Sequence, residues 1–284
     1  MESFLRLLKN IKEVLLKDIE DPDRLTFNID EARLFGKLAV IPPRGVLFVV
    51  GDIHGEQDSL EEILDFIFSG FDRSRDHILF LGDYVDRGNE GLEVIERLFE
   101  LKLSLGKRLV LLRGNHEDLG MNRFYGFLSE LYWKLGPEVQ KFYTELKSIY
   151  DLLPVCAYVP QKLILVHGGA PVPPISLKDI AKGEGEYQLL WNDPLDEDYI
   201  PRGGETKAFS EEDLDAFLKL VDARFMVRGH QFPGEKGHKI FSNRLLSIFS
   251  ARYGFEGAKL CLLKVDLSKD INNISQLIEG LHLL

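Results

Sequence analysis

Three short stretches of this chain each begin where an uninterrupted apolar run stops. They are Gly51-Asp52-Ile53-His54-Gly55, Gly82-Asp83-Tyr84-Val85-Asp86-Arg87-Gly88 and Arg113-Gly114-Asn115-His116-Glu117, and the runs before them are Val46 to Val50, Ile78 to Leu81 and Leu109 to Leu112. Asp83 follows Asp52 by 31 residues and Asn115 follows Asp83 by 32, the length of one strand, one crossover helix and the next strand. Between them, Leu60, Ile63, Leu64 and Ile67, then Leu92, Val94, Ile95, Leu98 and Phe99, recur at helical spacing and predict helices over 58–68 and 90–101. The chain is therefore α/β, built on a βαβαβ core with right-handed crossovers. Its polar motifs share the carboxyl rim of a parallel sheet, where open α/β sheets bind ligands.

The remaining chain is read around that core. Phe4, Leu8, Ile11, Leu15 and Ile19 predict an amphipathic helix, and a second helical stretch at 30–38 completes an N-terminal helical segment over 1–40. The pattern after Glu117 stays helical to Leu152, broken at Gly136-Pro137. Strands follow at 155–159 and 163–166, the second running into His167-Gly168-Gly169. Residues 192–209 form a polar loop, 211–221 a helix, and 225–227 a strand that ends in Arg228-Gly229-His230-Gln231. Residues 239–248 and 259–266 are expected to close a sheet, and 271–283 to form a last amphipathic helix. No linker divides the chain, which predicts a single domain over 1–284 with its body at 45–266.

A formal charge of −11 argues against sequence-independent binding to nucleic acid or to an anionic membrane. A phosphate-bearing substrate then needs local arginines. Only Cys156 and Cys261 occur, in no metal or disulfide pattern, which suits a reducing compartment. Glu2, Arg6, Lys9 and Lys12 interrupt the amino terminus, so it is not a signal peptide, and no apolar run approaches the ~18 residues of a membrane span. The expected location is cytoplasmic.

Of seven histidines, His54, His116, His167 and His230 stand at or just past a strand end beside a glycine. Packing would explain any one alone. Four together, with Asp52, Asp83 and Asn115, are polar groups converging on one rim, which is costly unless they are partnered. Asp52 and His54, at i and i+2, suit one divalent ion; Asp83 can bridge to a second, completed by the Asn115 carbonyl, His167 and His230. This N/O donor set without thiolate fits Mn, with Fe or Zn as the alternatives, better than Ca or Mg. His116 can then stand near the ions without binding one, oriented by Asp86 as the acid that protonates a leaving oxygen, and Arg87 can fork onto phosphate oxygens.

These residues resemble the signature blocks of the phosphoprotein phosphatase (PPP) family of serine/threonine protein phosphatases, within the calcineurin-like metallophosphoesterases. The resemblance continues through Asn122 to Phe127, Leu153-Pro154-Val155, His167-Gly168-Gly169, Trp191-Asn192-Asp193-Pro194, Gly229-His230-Gln231 and Phe249-Ser250-Ala251. It implies a metallophosphatase fold, a two-sheet β-sandwich flanked by helices, holding two divalent ions on the six ligands named above. It further implies hydrolysis of phosphoserine and phosphothreonine in proteins with His116 as general acid, and regulatory subunits as further partners. Phosphate contacts are implied for Arg87, Asn115 and a later arginine, whose place Arg202 takes. Tyr253 resembles the family's groove tyrosine, although the family's Ser-Ala-Pro-Asn-Tyr-Cys is here Ser250-Ala251-Arg252-Tyr253-Gly254. A dinucleoside polyphosphate hydrolase and an inactive scaffold are the alternatives, the first sharing the three leading blocks and the second keeping only the fold.

Overall fold

The runs before the three motifs are apolar at every position because both of their faces are buried. In the computed structural model, which describes residues 2–252 and 259–284, the chain opens with α1 (Glu2–Asp18), β1 (Ile19–Glu20), β2 (Arg33–Phe35) and β3 (Leu38–Val40). The motif-bearing unit follows as β4 (Val46–Val50), α2 (Gln57–Phe68), β5 (His77–Phe80), α3 (Gly91–Leu105) and β6 (Leu109–Leu111). Helices α4 (Leu119–Tyr125), α5 (Phe127–Leu135) and α6 (Val139–Tyr150) lead to β7 (Cys156–Val159) and β8 (Leu163–Val166). Next come α7 (Leu177–Ala181), α8 (Glu186–Trp191), β9 (Asp193–Pro194), β10 (Ala208–Phe209), α9 (Glu211–Leu220) and β11 (Phe225–Arg228). The chain finishes with β12 (His238–Phe241), β13 (Leu245–Ile248), β14 (Cys261–Asp266), α10 (Ile274–Ile278) and β15 (Leu281–Leu283).

Two sheets carry the structure, a five-stranded one ordered β15-β14-β4-β5-β6 and an eight-stranded one ordered β1-β2-β3-β7-β8-β11-β13-β12. β4, β5 and β6 are parallel neighbours, as the repeat interval of the motifs requires. Leu47 and Val49 of β4 share a core with Leu163, Leu165 and Val227 of the other sheet, so this core lies between the sheets. Phe48 and Val50 point the other way, into a core made with Leu8, Ile63, Leu98 and Leu146 of α1, α2, α3 and α6. Ile164 and Val166 of β8 similarly meet Leu189, Leu214 and Phe217 of α8 and α9. Period-two alternation between two apolar environments thus produces an unbroken apolar run.

Three expectations are corrected. Residues 30–38 are not helical: β2 and β3 form an antiparallel pair on the larger sheet, and Leu34 and Phe35 alternate between the inner and outer cores as strand residues do. The final helix covers only Ile274–Ile278, and β15 then pairs antiparallel with β14. A Cβ on Gly280 would fall 2.3 Å from the Lys264 carbonyl oxygen, so the chain passes from helix to strand where only glycine fits against β14. The unpaired edge of β14 offers hydrogen bonds that outweigh the helical period of the last segment. Residues 239–248 and 259–266 also belong to different sheets, because β12 and β13 extend the larger sheet while β14 pairs with β4. No described helix is long and apolar enough to cross a membrane.

His77, on β5, is fully buried, with Nε2 3.3 Å from Arg108 Nη1 and with Nδ1 lacking a partner. Burial first, then Arg108 and Arg44, push its pKa from 6.5 down to about 4. Below pH 6.5 the unfolded chain takes up a proton that the folded chain refuses, so this stability is present at neutral pH and lost as pH falls. Between pH 7 and pH 5 the wild type should lose about 2 kcal/mol more unfolding free energy than His77→Leu. Urea titrations at the two pH values check this, and parallel losses would exclude it.

Candidate metal centre and active site

Several of the polar residues are placed by unusual backbone conformations where β4, β5 and β11 end. Among the described residues, nine non-glycine positions have positive φ, and five of these are His54 (50°), Asp83 (56°), Asp86 (69°), Arg87 (71°) and His230 (73°). Each such residue costs on the order of 1 kcal/mol or more, and strain of this kind persists only where surrounding contacts enforce it. Those contacts are visible. The buried Glu117 carboxylate accepts from the backbone N–H groups of Asp83 (2.8 Å), Tyr84 (2.9 Å) and Gly114 (2.8 Å), clamping the second motif to the third. A Cβ on Gly114 would lie 2.4 Å from the Asp83 backbone nitrogen, so the two backbones touch. Glu117 has no role legible in the sequence beyond being an acidic residue in a turn otherwise filled by the site. Burial, then Asp83, raise its pKa to about 7. Glu117→Ala would strand three buried N–H groups and should lower stability by roughly 2–5 kcal/mol. A denaturation midpoint within error of wild type would rule out this clamp.

All six expected ligands come together, from both sheets. Asp52 and His54 follow β4, Asp83 follows β5 and Asn115 follows β6, while His167 follows β8 and His230 follows β11. Asp83 Oδ2 is the hub, 3.3 Å from His167 Nε2, 3.7 Å from His54 Nε2 and 3.9 Å from His116 Nε2. Asn115 Oδ1 is 2.8 Å from both His167 Nε2 and His230 Nδ1. Asp52 Oδ2 is 3.7 Å from His54 Nε2 and has no hydrogen-bond partner, although Oδ1 accepts from the His230 N–H at 3.0 Å. By proximity alone, His54-Asp83-His116 and Asp83-His167-His230 could each hold an ion, with Asp83 in both. His116 joins the first through an Nε2 3.9 Å from Asp83 Oδ2, while Asp52, 3.7 Å from His54 Nε2, is the expected ligand there.

The protonation pattern suits cations. His54 Nδ1 is 3.1 Å from the Val85 carbonyl and His167 Nδ1 is 3.1 Å from that of Leu81. As donors to those carbonyls, both rings turn Nε2 toward carboxylate and amide oxygens, so a proton or a cation must stand between these atoms. Burial opposes a charge on His167, but Asp83 outweighs it and raises its pKa, the pull that a cation would answer instead. Burial holds His54 down to about 3 and His230 well below the ordinary imidazole value, so both stay neutral, the form that ligates metal. Burial also raises Asp52 to about 6, a carboxylate in want of a positive partner. The residues therefore fit divalent cations.

His116 stands beside this group with a different set of contacts. Its Nδ1 is 2.7 Å from Asp86 Oδ2, which also accepts from Asn122 Nδ2 at 2.9 Å, while Asp86 Oδ1 accepts from the Phe127 N–H at 3.0 Å. Tyr143 Oη donates to Asn122 Oδ1 at 2.6 Å and so fixes the amide. Burial opposes a charge on His116, but Asp83 and Asp86 outweigh it and raise its pKa. Asn122 and Tyr143 were not singled out as site residues in the sequence, because nothing in spacing reveals a third layer of contacts.

An open cavity of about 570 Å³ is lined by Asp83, Arg87, Asn115, His116, Arg202 and His230, among others, and Asp52, His54 and His167 are buried. Arg87 lies over the Tyr125 ring, 5.9 Å from its centroid, and its Nε has no hydrogen-bond partner. Arg202 Nε donates to Asp193 Oδ2 at 2.6 Å. Tyr253 lies outside the described residues.

Comparison with known proteins places this geometry. The profile of the calcineurin-like phosphoesterases matches residues 46–233. The chain is 32% identical over 224 residues to the serine/threonine-protein phosphatase 6 catalytic subunit of Drosophila melanogaster, covering 75% of this chain and 72% of that one. It is 32% identical over 220 residues to serine/threonine-protein phosphatase C23G10.1 of Caenorhabditis elegans, covering 73% of this chain and 47% of that one. Among solved structures, a Saccharomyces cerevisiae protein serine/threonine phosphatase with similarity to human phosphatase PP5 superposes with a TM-score of 0.78. The two share 21% identity over 100% of this chain and 88% of that one, which establishes the common fold.

Proposed function

The chain belongs to the calcineurin-like phosphoesterases and, within them, to the serine/threonine protein phosphatase family, and from that premise we propose that it hydrolyses phosphoserine and phosphothreonine esters in proteins. The observation that carries the reading is the pair of buried ligand groups sharing Asp83 at the floor of an open, arginine-lined cavity. The family implies divalent metal. Our reading is two ions per chain, Mn or else Fe or Zn, one on Asp52, His54 and Asp83 and one on Asp83, Asn115, His167 and His230. When bound, such ions supply Lewis acidity and lower the pKa of water enough to give a nucleophile at neutral pH.

The protein side chains supply the rest. Arg87, Asn115 and Arg202 face the cavity and bind the non-bridging phosphate oxygens, orienting phosphorus for in-line attack. His116 carries a proton on Nε2, held toward the cavity by the Asp86 contact on Nδ1, and gives it to the seryl or threonyl oxygen as the P–O bond breaks. The electron pair of that bond leaves with the oxygen, which departs as the neutral hydroxyl. The helices between Glu117 and Leu152 and the Trp191 to Pro194 block favour a protein over a nucleotide as substrate.

Turnover of a phosphoseryl peptide should exceed that of a dinucleoside tetraphosphate by roughly tenfold or more in kcat/KM. Preference for the nucleotide would reverse the assignment. A protein that holds two Mn per chain and cleaves neither would be a scaffold. We also assign the protein to the cytoplasm, on the strength of two buried free thiols, Cys156 and Cys261, and to assemblies with regulatory subunits of the kind its family uses.

A further inference from the structure

Arg228 is the largest fully buried side chain of the described residues, a guanidinium with no exposed surface just two residues before His230. It does not line the cavity, but both of the groups it holds lead there. Its Nη2 donates to Asp193 Oδ1 at 2.9 Å and its Nη1 to Gln231 Oε1 at 2.7 Å. The second oxygen of Asp193, itself fully buried, accepts from Arg202 Nε at 2.6 Å, and Gln231 and Arg202 are both cavity residues. One carboxylate is thus shared by two guanidiniums. The trio carries a net charge of about +1, and because Arg228 and Asp193 are sealed from solvent, that charge is expressed at the Arg202 end. Elsewhere on the cavity wall Asp196 and Asp198 share the one cation Lys239, and Asp83 lies at the floor, so the positive charge offered to a phosphate depends on Arg87 and on how much of Asp193 Arg202 must neutralise.

We propose that Arg228 is a positioning residue for phosphate recognition: by taking half of Asp193 it keeps that carboxylate from neutralising Arg202 and fixes the Arg202 guanidinium in the cavity wall. The assignment rests on the reading of Arg202 as a phosphate-binding residue. An ion pair that only stitched β11 to the loop after α8 would need no second arginine on the same carboxylate, and none reaching the cavity. Without Arg228, Asp193 keeps Arg202 as its one cationic partner among the described residues, beside a neutral His230 ring whose Nε2 lies 3.8 Å from Oδ1. The Arg202–Asp193 pair becomes neutral, and an incoming phosphate dianion meets less positive potential.

The test is a cycle of four metal-loaded proteins, wild type, Arg202→Met, Arg228→Met and the double variant. It reads the dissociation constant of inorganic phosphate by calorimetry, alongside bound metal and thermal midpoint. Arg202→Met and Arg228→Met should each weaken phosphate by about tenfold, and the double variant should be no weaker than the worse single one, because the two act through one contact. Arg228→Lys, which keeps the charge but not the fork onto Gln231, should recover part of the loss, and it carries the test if Arg228→Met does not fold. If Arg202→Met binds phosphate normally, the phosphate role of Arg202 fails and this proposal with it. If Arg202→Met is impaired but Arg228→Met changes only the thermal midpoint, loses bound metal, or multiplies the Arg202→Met loss, the Arg202 reading stands and the positioning role is overturned.

Discussion

Asp83→Asn should remove bound divalent metal and phosphatase activity together, taking metal content to less than about half that of the wild type and kcat/KM down by at least ~10³-fold. Asp83 is the one residue common to both groups, and its Oδ1 accepts from the backbone N–H of His116 at 2.9 Å. An amide in its place keeps the shape but loses the charge and presents one oxygen where two are used. Both sites are weakened at once, and the loop that carries His116 loses its anchor. Elemental analysis of the purified variant, with circular dichroism to confirm the fold, measures the result. A folded Asp83→Asn protein that retains both ions and its activity would remove the basis for a shared centre.

His116→Asn separates chemistry from metal binding. The variant should lose roughly 10²–10⁴-fold in kcat while its metal content stays that of wild type, because the acid is held by Asp86 and not by the ligand set. The loss should depend on the leaving group. An aryl phosphate, whose phenolate departs without help, should suffer far less than a phosphoseryl peptide, whose alkoxide needs the proton. Equal losses on both substrates, or a fall in bound metal, would show that His116 serves the centre in another way. Because Asp83 and Asp86 raise the His116 pKa above the ordinary imidazole value, its proton is held to higher pH than in an ordinary histidine.

The catalytic rim was readable in the sequence for a definite physical reason. Val46 to Val50, Ile78 to Leu81 and Leu109 to Leu112 are sealed on both faces, so each announces a central strand, and the polar step that follows can only be the strand end. His167 and His230 were legible on the same grounds, since β8 and β11 are also buried on both sides. Short strands near the sheet margins gave weaker signals. Arg33–Phe35, second in its sheet, and Leu281–Leu283, at the edge of the other, are three residues each, too short for a period of two to be told from a helical one. The Glu117 clamp and the Asp193 junction were hidden for another reason. Their roles come from which backbone amides and guanidiniums meet them in space, and separations such as that between Asp193 and Arg228 carry no trace of contact.

Because Asp52, His54, Asp83 and Asn115 belong to one layer of the sandwich and His167 and His230 to the other, ions seated among them are rivets through both plates. At this rim direct hydrogen bonds already join the layers, from the His230 backbone N–H to Asp52 Oδ1 and between His167 Nδ1 and the Leu81 carbonyl. Occupancy of the centre would add to these ties, so that both walls of the pocket would feel its loss at once.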